Sequence, residues 1–554
     1  MSNFDTKTGV IAILAILLIG SLGYNYMLLS KPKSEEPTEP TGPTLTPLTD
    51  TESLNIAMDL SIIVSLDPAR AYEGTAILMD NQCFDKLVDF VPPDYTTVVP
   101  EIAEDWEVAT DKKTWKFYIR EGVTFSNGDP VDAEAVAYSL KRVIQLGQEA
   151  SWMLEQFVSS PEHITVIDPY TVQVVLDEPV APSFFLSTLS CTTATVVNPN
   201  VLEEHAEDDD MGSDWMTMNG GSMGTGSGPY ILESFERESK IVMTANENYW
   251  RGEPTIKKIV IQHVAEPEVQ RLMLEKGDVD IAWGLYAEII QDLEGTQGIR
   301  IYRTNSWGVN YVGMNVGVEP LDDNNVRKAI RYAIDYEGII SEILAGAAVK
   351  AQTVIPYGFL GFNPALPYYR DVNKAKTLLE DAGYPEGFSI EMAVPAGTYP
   401  QLDIAAKLKS DLADIGVDVQ INQITSATMY ERYRAQGLQL VLAGWGSDYP
   451  DPDCNARAFG DHRMGQLAYR NMWLDDYVAD LCDEAAVESD LAEREGLYTE
   501  ITDYILEDGP FAVLYQPLVQ RAIRTWVEGF IVSPSSYTQD FYGVYKDPVY
   551  EETS

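Results

Sequence analysis

Between residues 371 and 445, apolar and polar positions repeat with two periods in turn. Ala375, Leu378, Leu379 and Ala382 fall on one face of a helix that ends at Gly383, a residue suited to the left-handed position after a helix. Phe388–Met392 then alternates with period two, as a half-buried strand does. A helix is predicted over 401–414, stopped by Gly416. Val417, Val419 and Ile421 next alternate with Asp418, Gln420 and Asn422 in a second strand. Leu438–Ala443 is a nearly unbroken apolar run, which suits a strand buried on both faces. Successive β-α units of this kind imply a sheet with helices on its faces, and hence an α/β fold.

The period-two pattern recurs earlier, where Trp115, Phe117 and Ile119 alternate with Lys116, Tyr118 and Arg120. A second short strand is predicted over Val123–Phe125, running into the turn dipeptide Asn127-Gly128. Asp132 fits a helix N-cap, with Val131 and Val136 at the spacing of a hydrophobic staple. Val136, Leu140, Val143 and Ile144 continue as one helical face. Met211 to Gly228 is rich in Gly, Ser and Met and breaks the periodicity, as a junction between domains would.

A chain of 554 residues, 45% of them apolar, has room for two or three domains with real cores. Its first 52 residues are not read as part of them. Val10–Leu29 is an uncharged run of 20 residues, long enough for a transmembrane helix and longer than the usual core of a cleaved signal. Residues 1–30 are therefore read as an uncleaved N-terminal anchor, with a cleaved secretory signal as the alternative. No cysteine stands near the end of the run to carry a lipid. Residues 31–52 hold five Pro and six Thr and are read as a stiff, extended linker.

A formal net charge of −48 excludes a nucleic-acid-binding surface, which needs a basic footprint. Four cysteines show no CxxC spacing; if the domain lies outside the cell, Cys454 and Cys482 are a candidate disulfide, although sequence fixes no connectivity. The four histidines form no HExxH or paired Cys/His pattern, so a zinc centre is not predicted. Gly220–Gly224 fits the letters of G-x-S-x-G around Ser222, yet neither a strand before it nor a helix after it is predicted, and a hydrolase elbow needs both. Residues 203–210 are acidic and are read as a solvated loop.

One further pattern carries more. Pro100 to Ile144 has the order acidic residue, Trp106, Trp115, Phe117, Arg120, Phe125, Gly128 and Arg142. It is followed by Gly224–Tyr230 with Ala245–Pro254, then Asp322–Asp335, Asp371–Gly387 and Gly444–Pro452. Together these resemble, in the same order, the solute-binding proteins of peptide and nickel ABC importers, the oligopeptide/dipeptide-binding family. The resemblance implies a two-lobed, type II periplasmic-binding-protein-like clamshell with an additional inserted domain. It implies a first lobe from 53–88, 222–309 and 512–554, an inserted domain over 89–221, and a second lobe over 310–511.

In the peptide-binding members an aspartate in a similar W-x-x-D-Y turn pairs with the ligand's α-ammonium group. The resemblance carries that role to Asp448, with backbone contacts from Gly444 and Gly446 and an apolar wall from Trp445. Asp448 lies just past the predicted strand 438–443, where ligands of α/β sheets bind. Its alternative role is to cap the Tyr-Pro-Asp-Pro turn. Gly74 falls where the family offers another backbone contact, although a loop glycine also serves simply to turn the chain. Leu442 stands where some relatives place an arginine, so their carboxylate clamp does not carry over.

The expectation is a membrane-tethered extracellular receptor of an ABC importer, a monomer without enzymatic activity, cofactor or metal. It would close on a short peptide and deliver it to the permease subunits. The alternatives are another solute, such as an oligosaccharide or a metal chelate, a non-transporting sensor or adhesion protein, and a secreted hydrolase.

Overall fold

In the computed structural model, which describes residues 48 and 50–547, two mixed sheets are joined through one shared strand. The first is built on Ser53–Met58, which pairs in parallel with Lys258–His263 and with Ile281–Ala282. Lys240–Ala245 and Tyr230–Glu236 extend it in antiparallel fashion. In the second, Phe388–Pro395 lies parallel to both Val417–Ile424 and Leu440–Gly446, and Gly308–Met314 runs antiparallel to Leu440–Gly446. Phe511–Arg524 belongs to both: Phe511 to Tyr515 pair with Gly308–Met314, and Leu518 to Arg524 pair with Ile299–Asn305. The chain also passes directly from Ile299–Asn305 into Gly308–Met314, so two adjacent crossings link the halves.

The β-α reading of residues 371–445 is met by helix Val372–Asp381, strand Phe388–Pro395, helix Gln401–Ala413 and strand Val417–Ile424. Ala375 and Leu379 are buried, and Gly383 and Gly416 take the positive φ of helix and turn ends. The next strand differs from its predicted 438–443 span. It runs Leu440–Gly446, because Gly444, Trp445 and Gly446 pair with Asn310, Val309 and Gly308 despite the poor strand preference of glycine. Gly444–Gly446 is thus the strand's end rather than a turn.

A four-stranded antiparallel sheet, Ala103–Val108, Thr114–Ile119, Thr171–Val175 and Ile164–Asp168, forms a third layer. Trp115, Phe117 and Ile119 all point into its core. Helix Ala133–Leu146 begins as expected, with the Asp132 carboxylate accepting from the amides of Glu134 and Ala135. The predicted strand Val123–Phe125 is absent: the segment makes one isolated bridge, Thr124 to Pro130, while Phe125 closes the Asn127-Gly128 turn through Asp129. Met211–Gly228 is not wholly irregular, since Ser213–Asn219 is helical.

This third layer shares one core with the second sheet, in which Trp115, Phe117 and Phe185 are continuous with Tyr311, Tyr449, Phe459 and Phe511. Buried ion pairs fix its borders. Arg142 grips Asp67, just after the first strand, at 2.8 and 2.7 Å; Arg494 grips Asp451 at 2.8 Å twice and also reaches Ser183.

The candidate disulfide is not formed. Cys454 and Cys482 are free, buried thiols, and Cys482 donates to the Ala456 carbonyl at 3.5 Å. Burial raises both far above the usual thiol range, as expected of thiols that pack as small apolar groups. The predicted anchor and most of the linker lie outside the described residues. Among those described, no helix is long and apolar enough to cross a membrane.

Candidate functional site

The carboxyl end of strand Leu440–Gly446 has one open edge. Gly308–Met314 pairs along its full length on one side, whereas on the other Phe388–Pro395 pairs only with Leu440 and Val441. From Leu442 to Gly446 no strand among those described occupies that second edge. An unpaired edge presents alternate N–H and C=O groups to whatever lies beside it. Gly444 and Gly446 are exposed there, so no side chain shields the backbone. Trp445, between them, is half-buried, its ring edge-on to Phe459 with centroids 6.4 Å apart, and its indole N–H has no partner among the described residues.

The edge leads into Asp448. Ser447 turns the chain, its amide and hydroxyl both donating to the Trp307 carbonyl at 3.1 and 2.9 Å. The Asp448 carboxylate receives one hydrogen bond among the described residues, from the Tyr72 hydroxyl at 3.1 Å. Among the described residues no lysine, arginine or histidine lies within ion-pair distance of it. Burial pushes its carboxyl up to about 6, against the smaller lowering effect of Tyr72. The turn is capped by a different residue: Asp451 accepts from the Asp453 amide at 2.9 Å. Asp448 is left as a desolvated, partly accessible carboxylate without a counter-charge.

Three parts of the chain meet around it. Tyr72 comes from the loop after the first strand, and Cys191, from the third layer, points its thiol at the Asp448 carbonyl at 3.4 Å. Tyr449, next along, packs against Trp152 and Phe184 of the same layer. Gly74 opens helix Gly74–Cys83, whose N-cap Glu73 makes no side-chain cap, and it is exposed. Its amide belongs to the helix's unsatisfied first turn.

Tyr72 has no sequence signature, because a single tyrosine in a loop carries no spacing. The open edge was also hidden, since pairing on one side only cannot be read from an apolar run. The groups are suited to holding a cationic end beside an extended backbone. Ser222, in contrast, sits in an isolated bridge to Leu232 with its carbonyl closing a turn to Thr225, which is not a strand-to-helix elbow. Among the described residues no cluster of three or more His, Cys, Asp or Glu could hold a metal.

The family model for bacterial extracellular solute-binding proteins, family 5, middle region, matches residues 97–464. The chain belongs to this family. Over 475 residues it is 28% identical to the probable D,D-dipeptide-binding periplasmic protein of Escherichia coli K12, covering 85% of this chain and 90% of the relative. Among solved structures it resembles a protein of Haemophilus parasuis, HbpA2, with a TM-score of 0.79 at 24% identity, covering 89% of this chain and 100% of the other. An ABC transporter-associated periplasmic binding protein of Helicobacter pylori, DppA, in complex with a peptide gives a TM-score of 0.72 at 24% identity, over 89% and 98%. These likenesses give the fold: the two joined sheets are those of a two-lobed α/β periplasmic-binding-protein architecture.

Proposed function

We propose that this solute-binding protein captures short peptides by their backbone and amino terminus and delivers them to the permease of an ABC importer. The observation that carries the reading is the open strand edge Leu442–Gly446 ending at a carboxylate without a counter-charge. A peptide laid along that edge as an added strand gains main-chain hydrogen bonds without having its side chains read. Its α-ammonium then supplies the charge that Asp448 lacks. Gly444 and Gly446 admit the backbone, Trp445 walls the pocket, and Gly74 offers an amide from the opposite lobe.

The lobes follow residues 53–88, 222–309 and 512–554 on one side and 310–511 on the other, with 89–221 inserted. Closure bends the two crossings, at Asn305–Gly308 and within Phe511–Arg524. No covalent step is required of the chain, which acts as a monomer with the energy supplied by separate ATP-hydrolysing subunits. Residues 1–30 anchor it, and the large domain lies outside the membrane. The name of the Escherichia coli relative and the peptide in the Helicobacter pylori structure support a peptide cargo. Native mass spectrometry of the purified protein is expected to show co-purified peptides, and calorimetry to show their affinity falling on N-acetylation. Binding indifferent to acetylation would remove Asp448 from the site.

A further inference from the structure

Phe388–Pro395 and Leu440–Gly446 run parallel, yet they pair only at Met392 with Leu440 and at Ala393 with Val441. Past that level the first of them stays with its other neighbour. Val394 and Pro395 pair with Gln423 and Ile424, and the Ala396 amide donates to the Ile424 carbonyl at 2.8 Å. The two strands therefore part at the level of Leu442, and the segment 396–399 leaves the sheet on the side of the open edge. All four of its residues are exposed.

The segment ends on the other sheet. Tyr399 reaches Tyr286 and Glu288, which follow the first-sheet strand Ile281–Ala282. The rings of Tyr399 and Tyr286 have centroids 5.1 Å apart and planes at 41°, and the Tyr399 hydroxyl donates to the Glu288 carboxylate. A second acceptor stands 3.5 Å from the same hydroxyl: the carbonyl of Ile343, a residue packed on the core of the second sheet. One hydroxyl thus has an acceptor in each half. None of the three side chains belongs to a strand that crosses between the sheets, so rotation about the crossings breaks the contact. Tyr286 is 50% and Tyr399 43% exposed, and the pair parts without uncovering a core. An aromatic pair and a single hydrogen bond each change an equilibrium by only about two- to tenfold. That is the strength of a joint that opens, in contrast to the buried clamps Arg494–Asp451 and Arg142–Asp67.

We infer that Tyr399 is a latch of the closed form: seated on Tyr286 and Glu288, it shuts the open side of the strand edge over a bound peptide and has to part before the peptide leaves. On opening, the hydroxyl keeps the Ile343 carbonyl as its acceptor and gives up Glu288. The latch therefore sets how long cargo is held, through the dissociation rate. The inference rests on the peptide reading above.

The test loads the full chain with a deuterated equimolar tripeptide library, chases it with the same library undeuterated, and follows the loss of deuterated peptide by native mass spectrometry. Tyr399→Phe, which keeps the ring, and Glu288→Ala are each expected to release peptide about two- to tenfold faster than the wild type. Tyr399→Ala, which also loses the ring contact, should release it at least tenfold faster. The double variant Tyr399→Phe/Glu288→Ala should be no faster than either single variant, because both remove the same hydrogen bond. Side chains that touched the peptide independently would give effects that multiply. Release at the wild-type rate by Tyr399→Ala, or multiplying effects in the double variant, would overturn the latch and leave the peptide reading standing; Glu288→Ala decides if the Tyr399 variants fail to fold. No peptide held by the wild type would overturn the peptide reading itself, and the latch with it.

Discussion

Asp448 and Asp451 stand three residues apart in one turn, in opposite surroundings. Asp451 is clamped by two Arg494 nitrogens at 2.8 Å and accepts from the Asp453 amide at the start of the helix Asp453–Gly460. Asp448 has a tyrosine hydroxyl and, among the described residues, no cation. The buried pair holds the third layer to the second sheet, because Arg494 also reaches Ser183. Asp67 with Arg142 does the same at the border with the first sheet. Compensated aspartates therefore mark the seams of this molecule, and an uncompensated one stands just past the open strand edge Leu442–Gly446. Proximity in sequence says nothing about which is which; the partner decides.

The largest effect is expected on removing a clamp. Arg494→Ala leaves Asp451 as an isolated buried charge, a loss of about 3–5 kcal/mol in a buried pair of this geometry. Denaturant unfolding should show it, and the rotation of Tyr449 away from Phe184 should accompany it as a change in near-ultraviolet circular dichroism. A variant as stable as the wild type would show that the pair does not hold the seam.

Asp448→Ala reverses the pattern. Ligand affinity is expected to fall by about 2–5 kcal/mol, because the peptide's ammonium is left buried without a partner, while the fold is kept. Asp448→Asn should even stabilise the ligand-free protein at pH 7. The sign follows from burial: the folded carboxyl titrates near 6, above its unfolded value of about 3.9. Ionised Asp448 therefore destabilises the fold above pH 6, and that penalty fades as pH falls through 6 towards 4. The gain on substitution is at most about 2–3 kcal/mol, read as a raised unfolding midpoint at pH 7 that vanishes at pH 4. An Asn variant less stable than the wild type at pH 7 would contradict the uncompensated charge.

Ligand binding should follow the same titration. Ammonium capture needs the carboxylate, so affinity is expected to be flat above pH 7 and to weaken by about tenfold per unit below pH 6. Titration calorimetry across pH 4.5–8 measures this, and the dependence should be absent in Asp448→Asn. A flat profile in the wild type would place the ammonium elsewhere.

Much of the scaffold was legible in the sequence, because local periodicity and local punctuation decide it. Residues 371–424 read correctly since both helices there bury one face and stop at Gly383 and Gly416, and both strands start directly after a glycine of positive φ, Gly387 and Gly416. Val123–Phe125 misled because its apolar alternation fills the core beside a turn without making a ladder. The strand end at Gly444–Gly446 misled in the other direction, as pairing with Gly308–Asn310 overrode the glycines' weak preference. The candidate site was half legible. Asp448 and its glycines came through resemblance, whereas Tyr72 is 376 residues distant from Asp448 along the chain and meets it only in the folded chain. Whether an aspartate has a counter-ion is a tertiary fact, and no spacing within Ser447–Asp453 encodes it.

The smallest predicted effect separates the strand edge from the charge at its end. A Cβ at Gly446 would meet nothing within 4 Å, while at Gly444 it would come 3.2 Å from the Asn310 side-chain oxygen. Neither glycine has a positive φ, so alanine imposes no backbone strain at either position. Gly446→Ala should therefore leave the unfolding midpoint within about 0.5 kcal/mol of the wild type. Only a ligand lying along the open edge would notice the added methyl, through a displaced backbone hydrogen bond worth about 0.5–1.5 kcal/mol. A peptide affinity lowered by a few fold with stability unchanged is the expected result. Gly444→Ala should lower both, since Asn310 must first give way. Peptide binding untouched by Gly446→Ala would mean that the ligand reaches Asp448 without running along the strand, leaving the charge as the site and the edge as scaffold.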